Sequence, residues 1–215
     1  MKKTLVFDFD GTLCHSLELV KVGIKSALDK YYKEKIDDNV LTKYFGPNEE
    51  GILINILGDR LGKDGFYEYL LTYFNNHDKY LKDFFPGMRE LLEKLNKDGF
   101  TLYLLTGRSV ESLMISLTKL DAFKYFKGYY TGAIKGAVKD ELLLKLLNDH
   151  NLHKEDIIYI GDSINDVIQC NKIGVKIISA LYDNFESHDG IEKLKPFKIA
   201  KNIADLETFI YKEVL

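Results

Sequence analysis

Cysteine is scarce in this 215-residue sequence, which contains only Cys14 and Cys170. Neither residue belongs to a pair with metal-ligand spacing, so we do not expect a zinc site. The sequence leaves open one disulfide between them, but a reducing compartment is the simpler interpretation.

An excess of charge and a long apolar run are also missing. The formal net charge is -3 and the pI is near 6.0, so there is no electrostatic reason to expect a nucleic acid or an anionic membrane as partner. No apolar run approaches the roughly 20 residues that cross a bilayer. Lys2 and Lys3 precede an apolar stretch, but Asp8 and Asp10 interrupt it too early for an export signal. We therefore expect a soluble, cytoplasmic protein.

Short apolar runs of strand length alternate with amphipathic helical patterns through most of the chain. The strongest runs are rich in Val, Ile and Leu without alternation, as expected of parallel strands buried on both faces. Helical patterns separate them at residues 87–99, 139–151, 163–174 and 203–215. This order predicts an α/β fold with a doubly wound parallel sheet. The predicted strands lie near Thr4, Thr101, Gly128, Asp156 and Val175, with a weaker sixth near Phe197.

Residues 16–82 break this alternation, because one helical pattern follows another and no convincing strand is present. The patterns are "SLELVKVGIKSALDKYYKEK", "NVLTKYF", "NEEGILINILGDRLG" and "GFYEYLLTYFNNHDKYLKDF". Pro86 and Gly87 mark the return to alternation. We therefore predict an α/β core domain of residues 1–15 and 83–215, with a small helical domain of residues 16–82 inserted after the first strand.

Acidic residues follow two of the predicted strands. Asp8 and Asp10 end the first strand, and Asp162 ends the strand "IIYIG", with Asp166 one turn later. The carboxyl ends of parallel strands share one edge of the sheet, where functional residues gather. Carboxylates gathered there raise one another's pKa unless a cation is bound, and Mg²⁺ suits a few carboxylates together with water and phosphate. A helix cap explains Asp166 equally well, but it does not explain Asp8 inside an apolar run.

Groups that could bind a phosphate are predicted at the same edge. Gly11 lets backbone amides turn towards an anion, and Thr106 and Gly107 offer a hydroxyl and an N–H at a strand-to-helix turn. A lysine would add a positive charge, and Lys139, at the start of a helix, is preferred over Lys135. Each group alone has an ordinary structural explanation, but their order along the chain favours one shared site.

Four motifs of the chain resemble those of the haloacid dehalogenase-like hydrolase superfamily. They are "DFDGT" at residues 8–12, "LLTGR" at residues 104–108, a lysine near position 139 and "GDSIND" at residues 161–166. The helical segment after the first motif resembles the superfamily's helical cap domain, and the nearest likeness is to the phosphoglycolate phosphatase-like branch. His15 departs from the pattern, since many cap-bearing relatives have an acid there, and we assign it no role.

The resemblance implies a role for each matching residue. Asp8 would be the nucleophile and form an aspartyl-phosphate, while Asp10 would protonate the leaving oxygen and then activate water. The implied Mg²⁺ ligands are Asp8, Asp10 through its backbone carbonyl, Asp162 and Asp166. The residues implied to hold the phosphoryl group are Phe9, Thr106, Gly107 and Lys139.

The inserted segment contains a turn at Gly46 and Pro47 that could face the leaving group of a substrate. On that hypothesis, Asn48, Glu49 and Arg60 are candidates for substrate contacts. An ordinary connection between helices, with a solvated acidic face, explains the same residues equally well.

The sequence therefore predicts a Mg²⁺-dependent phosphatase that acts on a small phosphorylated metabolite. A phosphomutase of the β-phosphoglucomutase type is the first alternative, since it would return the phosphoryl group of its aspartyl-phosphate to a sugar. A phospho-aspartate switch is disfavoured, because receiver domains carry their aspartate on a later strand and lack a large helical insertion. A binding protein without activity is disfavoured by the complete set of acids.

Overall fold

The strands form one parallel sheet in the part of the chain that the computed structural model describes, residues 4–32, 36–136, 139–182 and 190–214. Their bounds are β1 Thr4–Phe7, β2 Thr101–Leu105, β3 Gly128–Tyr130, β4 Ile157–Gly161, β5 Lys176–Ala180 and β6 Lys198–Ala200. The order across the sheet is β3-β2-β1-β4-β5-β6, which is a doubly wound arrangement. The predicted α/β fold class and strands are confirmed, including the weaker sixth strand.

Helices connect and cover these strands. Their bounds are α1 Leu17–Tyr31, α2 Asp38–Leu41, α3 Glu49–Leu57, α4 Asp59–Tyr80, α5 Met88–Lys97, α6 Val110–Lys119, α7 Lys139–Asp149, α8 Ile164–Ile173 and α9 Ile203–Val214. Side chains of β1 point alternately to the two faces of the sheet. Leu5 and Phe7 join a buried cluster with Leu91 of α5, while Val6 joins a second cluster with Leu143 of α7. Burial on both faces explains why the strand sequences are apolar without alternation.

The central position of β1 determines where a site can form. β1 pairs with β2 on one side and with β4 on the other, so the strand order reverses there. In such sheets a crevice opens beyond the carboxyl ends of the strands at the point of reversal. The N–H of Asp8 donates to the carbonyl of Ile160 at 2.9 Å, which extends the pairing of β1 with β4 beyond Phe7. The residues that follow β1 and β4 therefore reach the same edge.

The bounds of one predicted helix in the inserted segment are wrong. The apolar pattern predicts a single helix through "NEEGILINILGDRLG", but α3 ends at Leu57 and α4 begins at Asp59. Gly58 separates them with φ +81°, a conformation that glycine adopts readily and that interrupts a right-handed helix. The last residues of the pattern therefore belong to α4.

The inserted helices pack around α4, which contacts both α1 and α3. Its buried face carries Phe66, Tyr69, Tyr73 and His77, and each ring contacts the next with centroids 5.6–5.9 Å apart. The three aromatic residues before His77 belong to the same buried cluster that covers one face of the sheet. Apolar packing is thus continuous from the inserted helices to the sheet, and the division at residues 16 and 82 stays a prediction.

Cys14 and Cys170 are both buried free thiols, so they do not form the disulfide that the sequence left open. Over the described residues, no helix combines the length and the apolar composition that a membrane crossing requires.

Candidate active site

Three buried carboxylates meet at the carboxyl edge of the sheet. Asp8 follows β1, Asp162 follows β4, and Asp166 lies in the first turn of α8. One oxygen of each lies within 4.8 Å of the corresponding oxygens of the other two, and all three residues are buried. Carboxylate oxygens in such a group are the ligands that Mg²⁺ prefers. The structure therefore brings three of the predicted metal ligands together.

Lys139 balances part of the negative charge of this carboxylate cluster. Its Nζ donates to Asp8 Oδ2 at 2.5 Å and to Asp166 Oδ1 at 2.6 Å. Burial acts to lower the pKa of Lys139, but the two carboxylates outweigh it and raise that pKa above its usual value. Burial raises the pKa of Asp8 to about 7, and Lys139 opposes the rise. Lys135 is exposed, so Lys139 is the lysine that reaches the cluster.

The sequence left open whether Asp166 is a helix cap or a metal ligand, and its two oxygens are compatible with both uses. Its Oδ2 accepts hydrogen bonds from the N–H of Ser163 at 3.1 Å and from the Ser163 hydroxyl at 2.7 Å, which caps α8. Its Oδ1 accepts from Lys139 and, at 3.1 Å, from the hydroxyl of Tyr159. The cap fixes the carboxylate so that one oxygen faces the cluster.

Asp162 is held by the loop that follows β1, which contains Gly11 and Thr12. The Thr12 hydroxyl donates to Asp162 Oδ1 at 2.9 Å. Gly11 adopts φ +71°, and a Cβ at that position would lie 2.1 Å from Asp162 Oδ2. Only glycine permits this approach, so Gly11 allows the two segments to meet as well as allowing the chain to turn.

Asp10 lies outside the carboxylate cluster and is bound by other groups. Arg108 Nε donates to its two oxygens at 2.9 and 3.0 Å, and the Ser16 hydroxyl donates to Oδ1. The Asp10 side chain is 32 % exposed and lines the cavity at the site. Its carboxylate thus lies at the cavity rather than among the clustered oxygens. Its predicted role in proton transfer and the predicted metal contact through its backbone carbonyl stay predictions.

Arg108 is a candidate functional residue that the sequence analysis did not single out. It is buried, and its Nη1 donates to the Tyr73 hydroxyl at 2.6 Å and to Ser116 Oγ at 3.2 Å. The guanidinium lies 5.2 Å from the centroid of the Phe9 ring. A buried guanidinium held in this way fixes the carboxylate that it binds, and Tyr73 connects this pair to α4. The available signal was the position of the arginine at the end of the "LLTGR" motif.

The groups predicted to hold a phosphoryl group surround the carboxylate cluster. Thr106 is buried beyond the end of β2, where its N–H donates to the carbonyl of Tyr130 at 2.9 Å. Thr106 and Gly107 both line the cavity. The N–H of Phe9 donates to Asp8 Oδ1 at 2.7 Å, so in this structure it contacts Asp8. The predicted phosphate-binding roles of these residues stay predictions.

Glu49 lies at the cavity but connects two parts of the fold. Its Oε1 accepts from the Tyr69 hydroxyl at 2.9 Å and from Ser112 Oγ at 2.6 Å, and its Oε2 accepts from the N–H of Ser109 at 2.6 Å. Ser109 is the N-cap of α6, where free N–H groups stabilise an anion. Glu49 is buried, so the solvated acidic face considered for this segment is wrong at this position.

Asn48 and Arg60 are placed differently from each other. Asn48 lines the cavity and caps α3, since its Oδ1 accepts from the N–H of Gly51 at 3.0 Å. Its Nδ2 donates to the carbonyl of Gly132 at 3.4 Å. Arg60 is exposed in the first turn of α4 and is not among the described residues that line the cavity. The structure therefore brings Asn48 and Glu49 to the site and leaves Arg60 outside it.

We expect Glu49→Gln to lower the free energy of unfolding by about 1–3 kcal/mol, because an amide nitrogen cannot accept the hydrogen bonds that this carboxylate accepts. Glu50→Gln, at the neighbouring half-buried position, is the matched control and should change the free energy of unfolding by less than about 0.5 kcal/mol. Urea denaturation followed by circular dichroism measures both. Equal effects of the two substitutions would contradict the connecting role of Glu49.

One cavity of ≈ 280 Å³ lies between the carboxylate cluster and the inserted helices. Its floor contains Asp8, Asp162 and Lys139, and Asp10 and Arg108 lie at its side. The opposite wall is formed by α1, by the loop before α3 and by α3. The site thus combines a carboxylate cluster that suits a cation, an acid outside that cluster and a cavity that suits a small ligand.

Comparison with known proteins finds relatives that are named as phosphatases and solved structures that share the fold. The chain is 22 % identical to Phosphoglycolate phosphatase 1 of Pseudomonas aeruginosa over 217 residues, which covers 96 % of this chain and 79 % of the relative. It is 27 % identical to the 5'-nucleotidase of the same organism over 206 residues, which covers 94 % and 92 % of the two chains. Among solved structures, CbbY of Rhodobacter sphaeroides in complex with phosphate shares the fold, with a TM-score of 0.77 over 96 % of both chains at 15 % identity.

A family match covers most of the chain. Residues 5–180 match the family described as Haloacid dehalogenase-like hydrolase. This range contains all four motifs that the sequence analysis identified and the three clustered carboxylates. The chain therefore belongs to the haloacid dehalogenase-like hydrolase family, in the branch whose relatives include phosphoglycolate phosphatases.

Proposed function

We propose that the chain is a Mg²⁺-dependent phosphatase that hydrolyses a small phosphorylated metabolite through an aspartyl-phosphate on Asp8. The observation that carries this proposal is the convergence of Asp8, Asp162 and Asp166 at one edge of the sheet, where Lys139 binds Asp8 and Asp166 and where Asp8, Asp162 and Lys139 line one cavity. Membership of the hydrolase family and relatives named as phosphatases support hydrolysis of a phosphoric monoester.

The carboxylate cluster fits a bound Mg²⁺. Three buried carboxylates with oxygens within 4.8 Å of one another, beside a single lysine, carry more negative charge than a buried site holds without a cation. Asp8, Asp162 and Asp166 would bind the ion, together with the backbone carbonyl of Asp10. When bound, Mg²⁺ would neutralise charge on the transferring phosphoryl group.

Asp8 and Asp10 would divide the chemistry between them. A carboxylate oxygen of Asp8 attacks phosphorus while the bond from phosphorus to the leaving oxygen breaks, and Asp10 gives that oxygen a proton. Asp10 then takes a proton from a water molecule, whose oxygen attacks the phosphorus and breaks the bond to Asp8. Inorganic phosphate leaves, and both aspartates return to their starting states.

The surroundings of the two aspartates support this division. Burial raises the pKa of Asp8, Lys139 opposes that rise, and a bound Mg²⁺ would further favour the ionised form that a nucleophile needs. Asp10 is 32 % exposed to the cavity and held by Arg108 and Ser16, so it can exchange protons with a leaving group and with water. Thr106, Gly107 and Lys139 would hold the phosphoryl oxygens.

We also propose that residues 16–82 act as a cap over a core of residues 1–15 and 83–215. Helices α1 and α3 form one wall of the cavity. The contact of Glu49 with Ser109 joins this wall to the predicted core, and the contact of Tyr73 with Arg108 joins α4 to it. A wall in that position would exclude bulk water during phosphoryl transfer and would contact the leaving group.

Phosphate release with and without metal tests the proposal. We expect the purified protein to release inorganic phosphate from a panel of phosphorylated metabolites in the presence of Mg²⁺, to lose this activity in EDTA, and to regain it with excess Mg²⁺. Asp162→Asn should raise the Mg²⁺ concentration for half-maximal activity by at least about tenfold, because it removes one charged ligand. Asp64→Asn, on the exposed surface of α4, is the control and should leave that concentration unchanged.

Two outcomes would change the proposed function. Phosphate release that does not respond to EDTA would contradict the assignment of the metal. Isomerisation of a sugar phosphate without net release of phosphate would favour the phosphomutase alternative, which is the activity named for a structural neighbour from Thermotoga maritima.

A further inference from the structure

We infer that the leaving group of the substrate is an uncharged alcohol with an apolar face, rather than an alcohol that carries a carboxylate or a second phosphate. This inference rests on the proposed phosphatase activity and adds the chemistry of the substrate to it. It comes from the wall of the cavity that lies opposite the carboxylate cluster.

That wall is apolar. Leu17 and Val20 of α1, Phe45 and Pro47 of the loop before α3, and Ile52 of α3 line it. Among the described residues of the inserted segment that line the cavity, none is Lys, Arg or His. A leaving group that meets this wall gains by burying apolar surface and finds no cation there.

The polar side chains of the same wall already have partners within the protein. Asn48 Oδ1 accepts from the N–H of Gly51, and its Nδ2 donates to Gly132. Glu49 uses its two carboxylate oxygens for three hydrogen bonds within the protein. Its negative charge at the wall acts against a second anion nearby.

Both cations among the described residues that line the cavity are already paired with carboxylates. Lys139 is bound by Asp8 and Asp166, and Arg108 Nε is bound by Asp10. Arg108 Nη2 has no hydrogen-bond partner among the described residues, but it is buried from solvent, so a ligand in the cavity does not contact it in this arrangement. Mg²⁺ and Lys139 would together balance the charges of Asp8, Asp162 and Asp166, so the dianionic phosphoryl group already adds unbalanced negative charge, and a further carboxylate on the leaving group would be buried without a partner. Burial of an unpaired charge is strongly unfavourable.

The size of the cavity agrees with a compact substrate. Its volume of ≈ 280 Å³ lies near the lower end of the range of about 300–1,000 Å³ that is typical of small-molecule pockets. A pocket of that size suits a phosphoryl group with a small leaving group better than one with a large leaving group. The expected substrate is therefore a phosphate monoester of a small, neutral and partly apolar alcohol.

Three synthetic esters test the inference with the wild-type protein and Mg²⁺. Benzyl phosphate has an apolar, uncharged leaving group, 4-carboxybenzyl phosphate adds one carboxylate, and 4-carbamoylbenzyl phosphate adds an uncharged group of the same shape. The added group is remote from the ester oxygen, so the three leaving groups differ little in basicity. We expect kcat/KM for the carbamoyl ester to exceed that for the carboxylate ester by at least about tenfold, because only the carboxylate is buried as an unpaired charge.

Leu17→Lys tests whether the apolar wall is the cause. A cation in place of this half-buried cavity residue should shift the ratio of the two kcat/KM values by about tenfold in favour of the carboxylate ester. Leu71→Lys adds the same charge on α4 at a position that is 58 % exposed and outside the described lining of the cavity. This matched control should leave the ratio at its wild-type value.

The outcomes separate this inference from the proposed function. If the wild-type protein hydrolyses the carboxylate ester as well as the carbamoyl ester, the inference fails and the phosphatase proposal stands. If Leu17→Lys folds and leaves the wild-type ratio unchanged, the wall is not the source of the selectivity and the inference fails as well. If none of the three esters is hydrolysed and the metabolite panel also releases no phosphate, the proposed function fails and the inference fails with it. The comparison in the wild-type protein decides the matter even if the lysine variant does not fold.

Discussion

Asp8→Asn is expected to reduce kcat for phosphomonoester hydrolysis by roughly 10⁴-fold or more. An amide at this position has no carboxylate oxygen with which to attack phosphorus, and it removes one of the three charges that would bind Mg²⁺. The substitution keeps nearly the same shape, so the buried position stays filled. Lys139 keeps its contact with Asp166, and the protein should fold. Initial rates at saturating Mg²⁺, together with circular dichroism, measure both expectations.

A second measurement detects the aspartyl-phosphate intermediate directly. The wild-type protein, quenched in acid during turnover, should carry one phosphoryl group that mild alkali or hydroxylamine releases, as an acyl phosphate does, and Asp8→Asn should carry none. Asp64→Asn serves as the control for loss of an acidic residue elsewhere on the surface. An Asp8→Asn protein that keeps a tenth of the wild-type activity would refute the assignment of the nucleophile.

The floor of the site was predictable because it depends on local sequence. Asp8 and Asp162 each follow an apolar strand, and strands of a parallel sheet end at one edge, so sequence position alone brings the two carboxylates together. The preference for Lys139 over Lys135 followed from its place at the start of a helix, and the contacts of Lys139 with the cluster agree with it.

The contacts that surround this floor depend on tertiary packing and were not predictable. Arg108 binds Asp10 across 98 positions of sequence, and Glu49 accepts from Ser109 across 60. No local pattern reports which face of an inserted helix will meet the core. The sequence therefore predicted Glu49 either as part of a solvated acidic segment or as a substrate contact. In the structure its carboxylate is buried between α3 and α6.

The error at Gly58 has a different origin. Apolar residues continue at helical spacing on both sides of it, so periodicity joins two helices that the backbone separates. A single residue with φ +81° decides the matter, and glycine inside a helical pattern is compatible with either outcome. Hydrophobic patterning predicts which residues are buried more reliably than it predicts where a helix ends.

Asp10→Asn should produce the second large effect, a loss of roughly 10²–10⁴-fold in kcat for an ester of an ordinary alcohol. The amide cannot protonate the leaving oxygen and cannot accept a proton from water. An ester with an acidic leaving group needs no proton for the first step, so p-nitrophenyl phosphate should still phosphorylate Asp8. The second step would remain slow, and the phosphorylated protein should accumulate.

Rapid-mixing kinetics with p-nitrophenyl phosphate therefore distinguish the role of Asp10 from a general loss of structure. We expect a burst of about one nitrophenol per protein molecule followed by slow turnover, because Asp8 reacts once and then waits for water. Ser16→Ala removes a hydroxyl that contacts Asp10 but keeps both the Asp10 carboxylate and Arg108, so this control should reduce kcat only a few-fold and give no burst.

Asp10→Asn also leaves the buried Arg108 without its anionic partner, and we expect a lower melting temperature for that reason. A slow first turnover without a burst would assign the defect to the phosphorylation step or to the fold. Accumulation of the phosphorylated protein in a folded variant would show that the carboxylate which Arg108 holds is the group that activates water.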